Sequence, residues 1–343
     1  MAMSSRISLL SRLAIAGLFA TCLGLAQAAL PKEQRAILQK AGSDALQLQT
    51  VPVPTPGANQ LLIRIYAAAV NPADWKSGAP SDDQIPGGDV AGVVAAPGDG
   101  VTGFNVGDPV FGIAVRRRGV LNGAYAEYAV APVANVVLKP ANITFAQAAG
   151  LGIATVTGVR VVDVTEIAKG QRVLITGVAG GVGSAAAQAA KARGAYVIGT
   201  ASAQHNAYLR SIGVDQVIDY TKVDFEKQVS HVDVVIDTVG GETAIRAMST
   251  LPRGARFAST GAHDLDAQCA QAGLKCAPYS SAADVERRIY EQVASLVSAG
   301  KLEVNIDKSF PLADASQARA YSMAGHAEGK IILIVDAAQA ERR

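Results

Sequence analysis

Along the first part of the chain the apolar positions fall in short runs broken by glycine and proline: QRAILQK from residue 34, QLLIRIYAAAV from 60, GGDVAGVVA from 87, DPVFGIAV from 108, GAYAEYAVA from 123 and NVVLKP from 135. Runs of this length, bounded by turn residues, predict strands, so residues 32 to 148 read as an all-β, barrel-like unit. The pattern then changes to alternating strand and helix. VLITG at 173, a helix, YVIGT at 196, a helix over 204–212, QVID at 216, VDVVID at 232, ARFAST at 255 and LKCAPYS at 274 predict a parallel sheet covered on both faces. Val285, Ile289, Val293, Leu296 and Val297 keep a helical period over 283–299 and lead to a closing strand, KIILIV at 330–335, expected to return to the β unit.

Within this pattern residues 171–194, QRVLITGVAGGVGSAAAQAAKARG, join a buried strand, a glycine turn and a small-residue helix without interruption. Gly177, Gly180 and Gly183 recur every third position. Such a turn lets the chain reverse sharply, brings backbone N–H groups close to a phosphate and packs the helix on the sheet, with the helix N-terminus facing the anion. The second strand that follows completes the βαβ unit expected of dinucleotide binding.

Half of the chain is apolar and 17% is charged, which suits two compact domains and gives no sign of disorder. Residues 1–28 hold Arg6, Arg12, an apolar stretch from Leu13 to Leu25 and Ala26-Gln27-Ala28, the pattern of a cleaved secretory signal. The expected location is therefore periplasmic or secreted after cleavage between Ala28 and Ala29, with organellar import or a lipid anchor on Cys22 as alternatives. Without the leader, 29 basic residues face 29 acidic ones, and no basic footprint for nucleic acid remains. The run Arg116 to Arg118 reads as a solvated loop. No segment of the mature chain is apolar for the ~18 residues that a membrane span needs. Cys269 and Cys276 are expected to be free buried thiols, with pairing across the Gly273 turn as the alternative.

Several ordered motifs together resemble one family: VNPADWK at 70–76, IPGGDVAGVV at 85–94, GVTGFNVGDPVFG at 100–112, GAYAEY at 123–128, GVAGGVG at 177–183, DTVGGE at 237–242 and GHAEGKIIL at 325–333. They resemble the zinc-independent quinone oxidoreductase branch of the medium-chain dehydrogenase/reductases over nearly the whole mature chain. The resemblance implies an α/β protein, with a GroES-like β-barrel domain (29–148 and 283–343) and a Rossmann doubly wound parallel sheet domain (149–282). It also implies NADPH-dependent hydride transfer to a quinone or an α,β-unsaturated carbonyl, and a homodimer. A non-catalytic NADPH-binding protein and an enoyl-thioester reductase are the alternatives.

Zinc-dependent relatives carry ligands near positions that hold Asn71, Gly88 and Ile153 or Ala154 here, and without thiolate or imidazole donors a zinc site is not expected. The cofactor is expected on Gly177, Gly180, Gly181, Val182 and Gly183. No acid follows the second strand to grip ribose hydroxyls; Gly199-Thr200-Ala201-Ser202 stands there, so NADPH is favoured, with Ser202 and Tyr220 at the 2′-phosphate. The lysine that the family often carries after that strand is absent. Thr157, Gly240 and Gly241 are expected near the nicotinamide. Candidate catalytic residues are Asn71, as a hydrogen-bonding amide, Lys76, as a donor to a developing oxyanion, and Asp74, which orients the loop. Tyr66, Trp75 and Tyr125 read as core rather than as stacking surfaces. His205, His231, His263 and His326 read as helix or loop residues without a triad.

Overall fold

The computed structural model describes residues 29–76, 78–114, 119–262, 264–277, 285–325 and 327–343; the leader, Arg116 to Arg118, His263 and His326 lie outside the described residues. Contacts separate residues 1–30 from 31–343, and of the former only Ala29 and Leu30 are described, without regular structure. The rest is built on two main sheets.

The first is parallel throughout, with strands in the order Gln216–Ile218, Tyr196–Thr200, Arg172–Thr176, Val234–Asp237, Arg256–Ser259 and Lys275–Cys276. Chain order reverses beside Arg172–Thr176, which is the switch point where doubly wound sheets open a crevice at the carboxyl ends of their strands. Continuous apolar runs form the central strands because both faces are covered: Val173, Leu174, Ile175, Val234, Val235 and Ile236 are all fully buried.

The second sheet runs Ile306–Pro311, Lys330–Ile334, Gln60–Val70, Asp89–Pro97, Pro109–Ile113 and Val136–Leu138, with Tyr128–Pro132 also pairing Gln60–Val70. The chain's last long strand thus joins its early strands. Ile331 faces Val70 and Ala69 faces Asp89, so three neighbouring strands have Lys330, Asn71 and Asp89 at one end of the sheet. A separate antiparallel ribbon pairs Glu33–Gln39 with Leu46–Pro52.

Several elements differ from the pattern reading. GAYAEYAVA yields a strand only over Tyr128–Pro132, since Gly123 is needed where a Cβ would stand 2.0 Å from the Ile85 carbonyl oxygen. The helix expected over 204–212 starts as a 3-10 turn, Ala203–His205, and becomes α-helical at Asn206–Ser211. The helix expected over 283–299 is Arg287–Ser298. The expectation of free thiols is wrong. Helix Asp266–Ala272 ends at Gly273 in the left-handed conformation (φ 66°), which reverses the chain into Lys275–Cys276 and brings Cys269 and Cys276 into a disulfide with Cα atoms 6.1 Å apart.

Candidate functional site

Gly177 leaves strand Arg172–Thr176 with φ 64°, and Gly180 is the N-cap of helix Gly181–Ala192. A Cβ on Gly183 would stand 2.4 Å from the Gly177 carbonyl oxygen and 2.7 Å from the Val178 Cα, so the helix can meet the turn only through glycine. Around Gly180 the space is open: an added Cβ would meet nothing closer than the Gly177 oxygen, at 3.5 Å. Tight packing on the sheet side and space at the helix N-terminus are what a pyrophosphate cradle requires. The Gly177 N–H donates to Thr200 Oγ1 (3.2 Å), which ties the turn to the second strand. Half-buried Val182 continues the first turn, and its carbonyl packs on Gly158 of helix Val156–Val164, which also carries half-buried Thr157.

Across the crevice, fully buried Asp237 organises the opposite wall. Its carboxylate accepts from Thr176 Oγ1 (2.6 Å), Ser259 Oγ (2.6 Å), the Val239 N–H (3.2 Å) and the Gly240 N–H (2.9 Å). Charge-assisted bonds from four donors fix the turn in which Gly240 and Gly241 both take positive φ. A Cβ on Gly240 would stand 2.3 Å from the Gly261 oxygen. Ser202 is half-buried at the head of its 3-10 turn, and Tyr220 is exposed at the end of the neighbouring strand. His205 is not a free surface residue: its Nδ1 meets Glu328 Oε2 at 2.5 Å.

The second half of the site comes from the β unit. Asn71 caps a short turn, Pro72–Asp74, in which Asp74 Oδ2 accepts the Asn71 N–H (2.8 Å) and the Tyr125 hydroxyl (2.9 Å). Burial pushes the Asp74 carboxyl up to about 6; Asp89 adds to the rise, while the Asn71 N–H, Tyr125 and Lys330 oppose it. The Asn71 side chain is almost wholly buried, with Nδ2 donating to Asp89 Oδ2 (3.0 Å) and Oδ1 accepting from Lys330 Nζ (2.5 Å). Lys330 also stands 3.4 Å from Asp89 Oδ2, and the other Asp89 oxygen accepts the Ile153 N–H (2.7 Å). This holds the kink at Gly152, whose Cβ would collide with the carboxylate.

The Lys330 stem links the two halves. It passes two glycines: a Cβ on Gly150 would lie 3.3 Å from its Cγ, and one on Gly181 would lie 3.2 Å from its Cδ. The cluster therefore abuts the first residue of the glycine-turn helix. Of the residues expected from sequence, Asn71 and Asp74 are brought together here, whereas Lys76 is exposed and its side chain bonds to none of them. Asp89, Lys330 and Asp237 were missed, although each lies in a quoted motif. Tyr66 is core, edge-on to Phe145 (4.9 Å between ring centres), and Tyr125 is buried over Gly87. Trp75 is half-buried and donates to Ser322 Oγ (3.1 Å).

Family models agree with this architecture. "Alcohol dehydrogenase GroES-like domain" matches residues 57–141 and "Zinc-binding dehydrogenase" matches 212–333. The chain is 34% identical to an NADPH-dependent alkenal/one oxidoreductase, chloroplastic, of Arabidopsis thaliana, over 90% of this chain and 81% of that one. It is 30% identical to the quinone oxidoreductase of Mus musculus, over 87% and 96%. The solved quinone oxidoreductase of Coxiella burnetii superposes with a TM-score of 0.79 at 31% identity, over 89% of this chain and all of that one.

The second family description implies a zinc ion, and the residues here do not fit one. The positions where the resemblance implies ligands hold Asn71, Gly88 and Ile153 or Ala154, and the Ile153 side chain packs against Gly88. The polar end of that space already contains the Lys330 ammonium, which would repel a dication. Among the described residues no three His, Cys, Asp or Glu side chains form a metal-binding group. Two domain matches, relatives matched along nearly their whole length and a superposable quinone oxidoreductase converge: the chain is an oxidoreductase and belongs to the quinone-oxidoreductase-like branch of the medium-chain dehydrogenase/reductase superfamily.

Proposed function

We propose that the chain catalyses NADPH-dependent, zinc-independent reduction of a quinone or an α,β-unsaturated carbonyl compound. The observation that carries this reading is the buried Asn71–Asp89–Lys330 cluster set directly against the first turn of the glycine helix, which puts an amide and an ammonium beside the turn expected to hold the dinucleotide. Bound NADPH supplies hydride. Gly177, Gly180, Gly181, Val182 and Gly183 would hold its pyrophosphate at the helix N-terminus, where Gly177 and Gly180 shape the turn and the first-turn N–H groups of Gly181, Val182 and Gly183 lack an acceptor within the helix. Ser202 and Tyr220 would receive the 2′-phosphate, since Gly199-Thr200-Ala201-Ser202, at the end of the second strand, contains no carboxylate to grip ribose hydroxyls instead. Thr157, Gly240 and Gly241 would border the nicotinamide. Asn71 would hydrogen-bond the acceptor oxygen as negative charge grows on it, Asp74 keeps the Asn71 backbone in place, and exposed Lys76 is a second donor at the end of the same turn.

Acceptors already polarised by conjugation suit a site with no Lewis acid. The names of the relatives point the same way, to alkenal, enone and quinone acceptors. The test is NADPH oxidation by the purified protein against a panel of quinones and small enones, with NADH in parallel. Turnover with NADPH supports the proposal. Tight NADPH binding without turnover would replace it with a binding protein. Asn71→Ala should lower kcat about 100-fold with little change in cofactor affinity, and unchanged kcat would remove Asn71 from the mechanism.

The Arg6, Arg12 and Ala26-Gln27-Ala28 pattern and the Cys269–Cys276 disulfide both suit an oxidising compartment reached by export. Sequencing the N-terminus of the mature protein decides this: a start at Ala29 supports a cleaved leader, and an intact Met1 overturns it.

A further inference from the structure

We infer that Lys330 and Asp89 are positioning residues that lock the Asn71 amide in one orientation, so that Asn71 offers the hydride acceptor an N–H and never its carbonyl. A carboxamide has nearly the same shape either way round, so its neighbours decide which end faces where. An ammonium can only donate and a carboxylate can only accept. Here the ammonium meets Asn71 Oδ1 at 2.5 Å and the carboxylate meets Nδ2 at 3.0 Å, on opposite ends of the amide. Reversing the amide would turn NH2 toward the ammonium and C=O toward the carboxylate. All three side chains are buried, Asp89 completely, so water could not compensate for those clashes.

Neither charge is free to follow a reversed amide. Asp89 is held through its second oxygen by the Ile153 N–H, at a kink that only glycine fits. Lys330 is held along its stem, where Gly150 and Gly181 leave just enough space. With one Nδ2 hydrogen on Asp89, Asn71 retains a single N–H, polarised by the ammonium behind it. Asp89 is the one side-chain acceptor that Nδ2 meets among the described residues, and the partner that fits the second N–H is an acceptor oxygen. Resting on the reductase reading above, that partner is the carbonyl oxygen of the quinone or enone, which gains charge as hydride arrives and strengthens the bond in the transition state. Lys330 transfers no proton in this scheme; solvent protonates the quinolate or enolate that hydride addition leaves.

The test compares Lys330→Met, Lys330→Arg and the uncharged pair Asp89→Asn with Lys330→Gln. In the cofactor-free protein the Asn71 side-chain amide protons, followed by 15N-edited NMR, should exchange slowly in wild type, fast in Lys330→Met and in the uncharged pair, and slowly again in Lys330→Arg. With NADPH and an accepted quinone, Lys330→Met should lose roughly 10- to 100-fold in kcat with an unchanged KM for NADPH, and Lys330→Arg should recover most of it. Slow exchange persisting in Lys330→Met, or in the uncharged pair should Lys330→Met not fold, overturns the inference. So does a loss of kcat that Lys330→Arg leaves unrepaired. A wild-type protein that reduces no acceptor would overturn the reductase reading instead, and the amide-exchange result would still decide the orientation.

Discussion

At the scale of single residues, the site was half legible. Asn71 and Asp74 were reached through the family resemblance of VNPADWK, and the structure adds what the motif alone did not show, that the Asp74 side chain caps the turn Pro72–Asp74 on the Asn71 N–H. Asp89 and Lys330 were not legible as partners, because what joins them is the register of three strands more than 200 residues apart in sequence at its extremes. Asp74 gives a pH test. Its carboxyl titrates near 6 in the folded chain, against an ordinary value of 3.8, so the folded state holds the extra proton between those values. That stabilisation is fully present below about pH 4 and is lost as pH rises through 6. Asp74→Asn stays neutral and keeps an acceptor for the Asn71 N–H. Relative to wild type it should gain about 3 kcal/mol in denaturant unfolding at pH 8 and less than about 1 kcal/mol at pH 4. A difference independent of pH would show that Asp74 is not the group that titrates.

Two other residues carry tests of packing rather than charge. Gly183→Val should abolish NADPH binding, because its side chain would drive into the Gly177 carbonyl and open the turn; retained affinity by calorimetry would misplace the cradle. Tyr290 is fully buried on helix Arg287–Ser298, and its hydroxyl has no hydrogen-bond partner among the described residues. Burial pushes that phenol well up, with the Asp89 charge adding to the rise. Tyr290→Phe removes an unsatisfied polar atom and leaves the ring, so it should stabilise the fold by about 1 kcal/mol in thermal or denaturant unfolding. Destabilisation would mean that the hydroxyl has a partner in solution.

At the scale of elements, buried and continuous apolar runs such as VLIT and VVID announced their strands, and two polar strands did not. Leu46–Pro52 alternates leucine with glutamine at its start because it is one half of a two-stranded ribbon with little core contact, and Ile306–Pro311 lies at a sheet edge where Asp307 and Lys308 are tolerated. Thiol pairing was open for a related reason: a separation of seven allows a disulfide only if the chain reverses, and Gly273 supplies that reversal. The bond ties helix Asp266–Ala272 to the last strand of the parallel sheet, Lys275–Cys276, which has a neighbour on one side only. Loop-closure entropy for so short a loop gives about 2 kcal/mol. Reduction, or Cys276→Ser, should lower unfolding stability by that amount while leaving NADPH affinity intact, since the bond lies at the far edge of the sheet from the glycine turn.

At the scale of the molecule, the doubly wound order and the return of the closing strand to the β unit were foreseeable from the sequence pattern, whereas the bonds by which the C-terminal segment ties the glycine-turn helix to the β sheet were not. After helix Arg287–Ser298 the chain runs over helix Gly181–Ala192 before entering the β sheet, and Gln188 secures it there. Gln188 Nε2 donates to the Glu303 carbonyl (3.0 Å), and the Glu303 N–H donates to Gln188 Oε1 (2.8 Å). One side chain thus completes the backbone bonding of a segment that belongs to no strand or helix. Two further links cross nearby: the His205–Glu328 pair, and Lys330, whose stem lies on Gly181. Gln188→Ala would leave both Glu303 backbone groups without protein partners, and the expected cost is about 2 kcal/mol. Because the lost bonds join the segment to the dinucleotide-type half rather than to its own sheet, hydrogen exchange should accelerate first at residues 302–305 and 328–330, ahead of the central parallel strands. Uniform acceleration through both sheets would instead mean that the segment is not a separate link, and that the two halves unfold as one unit.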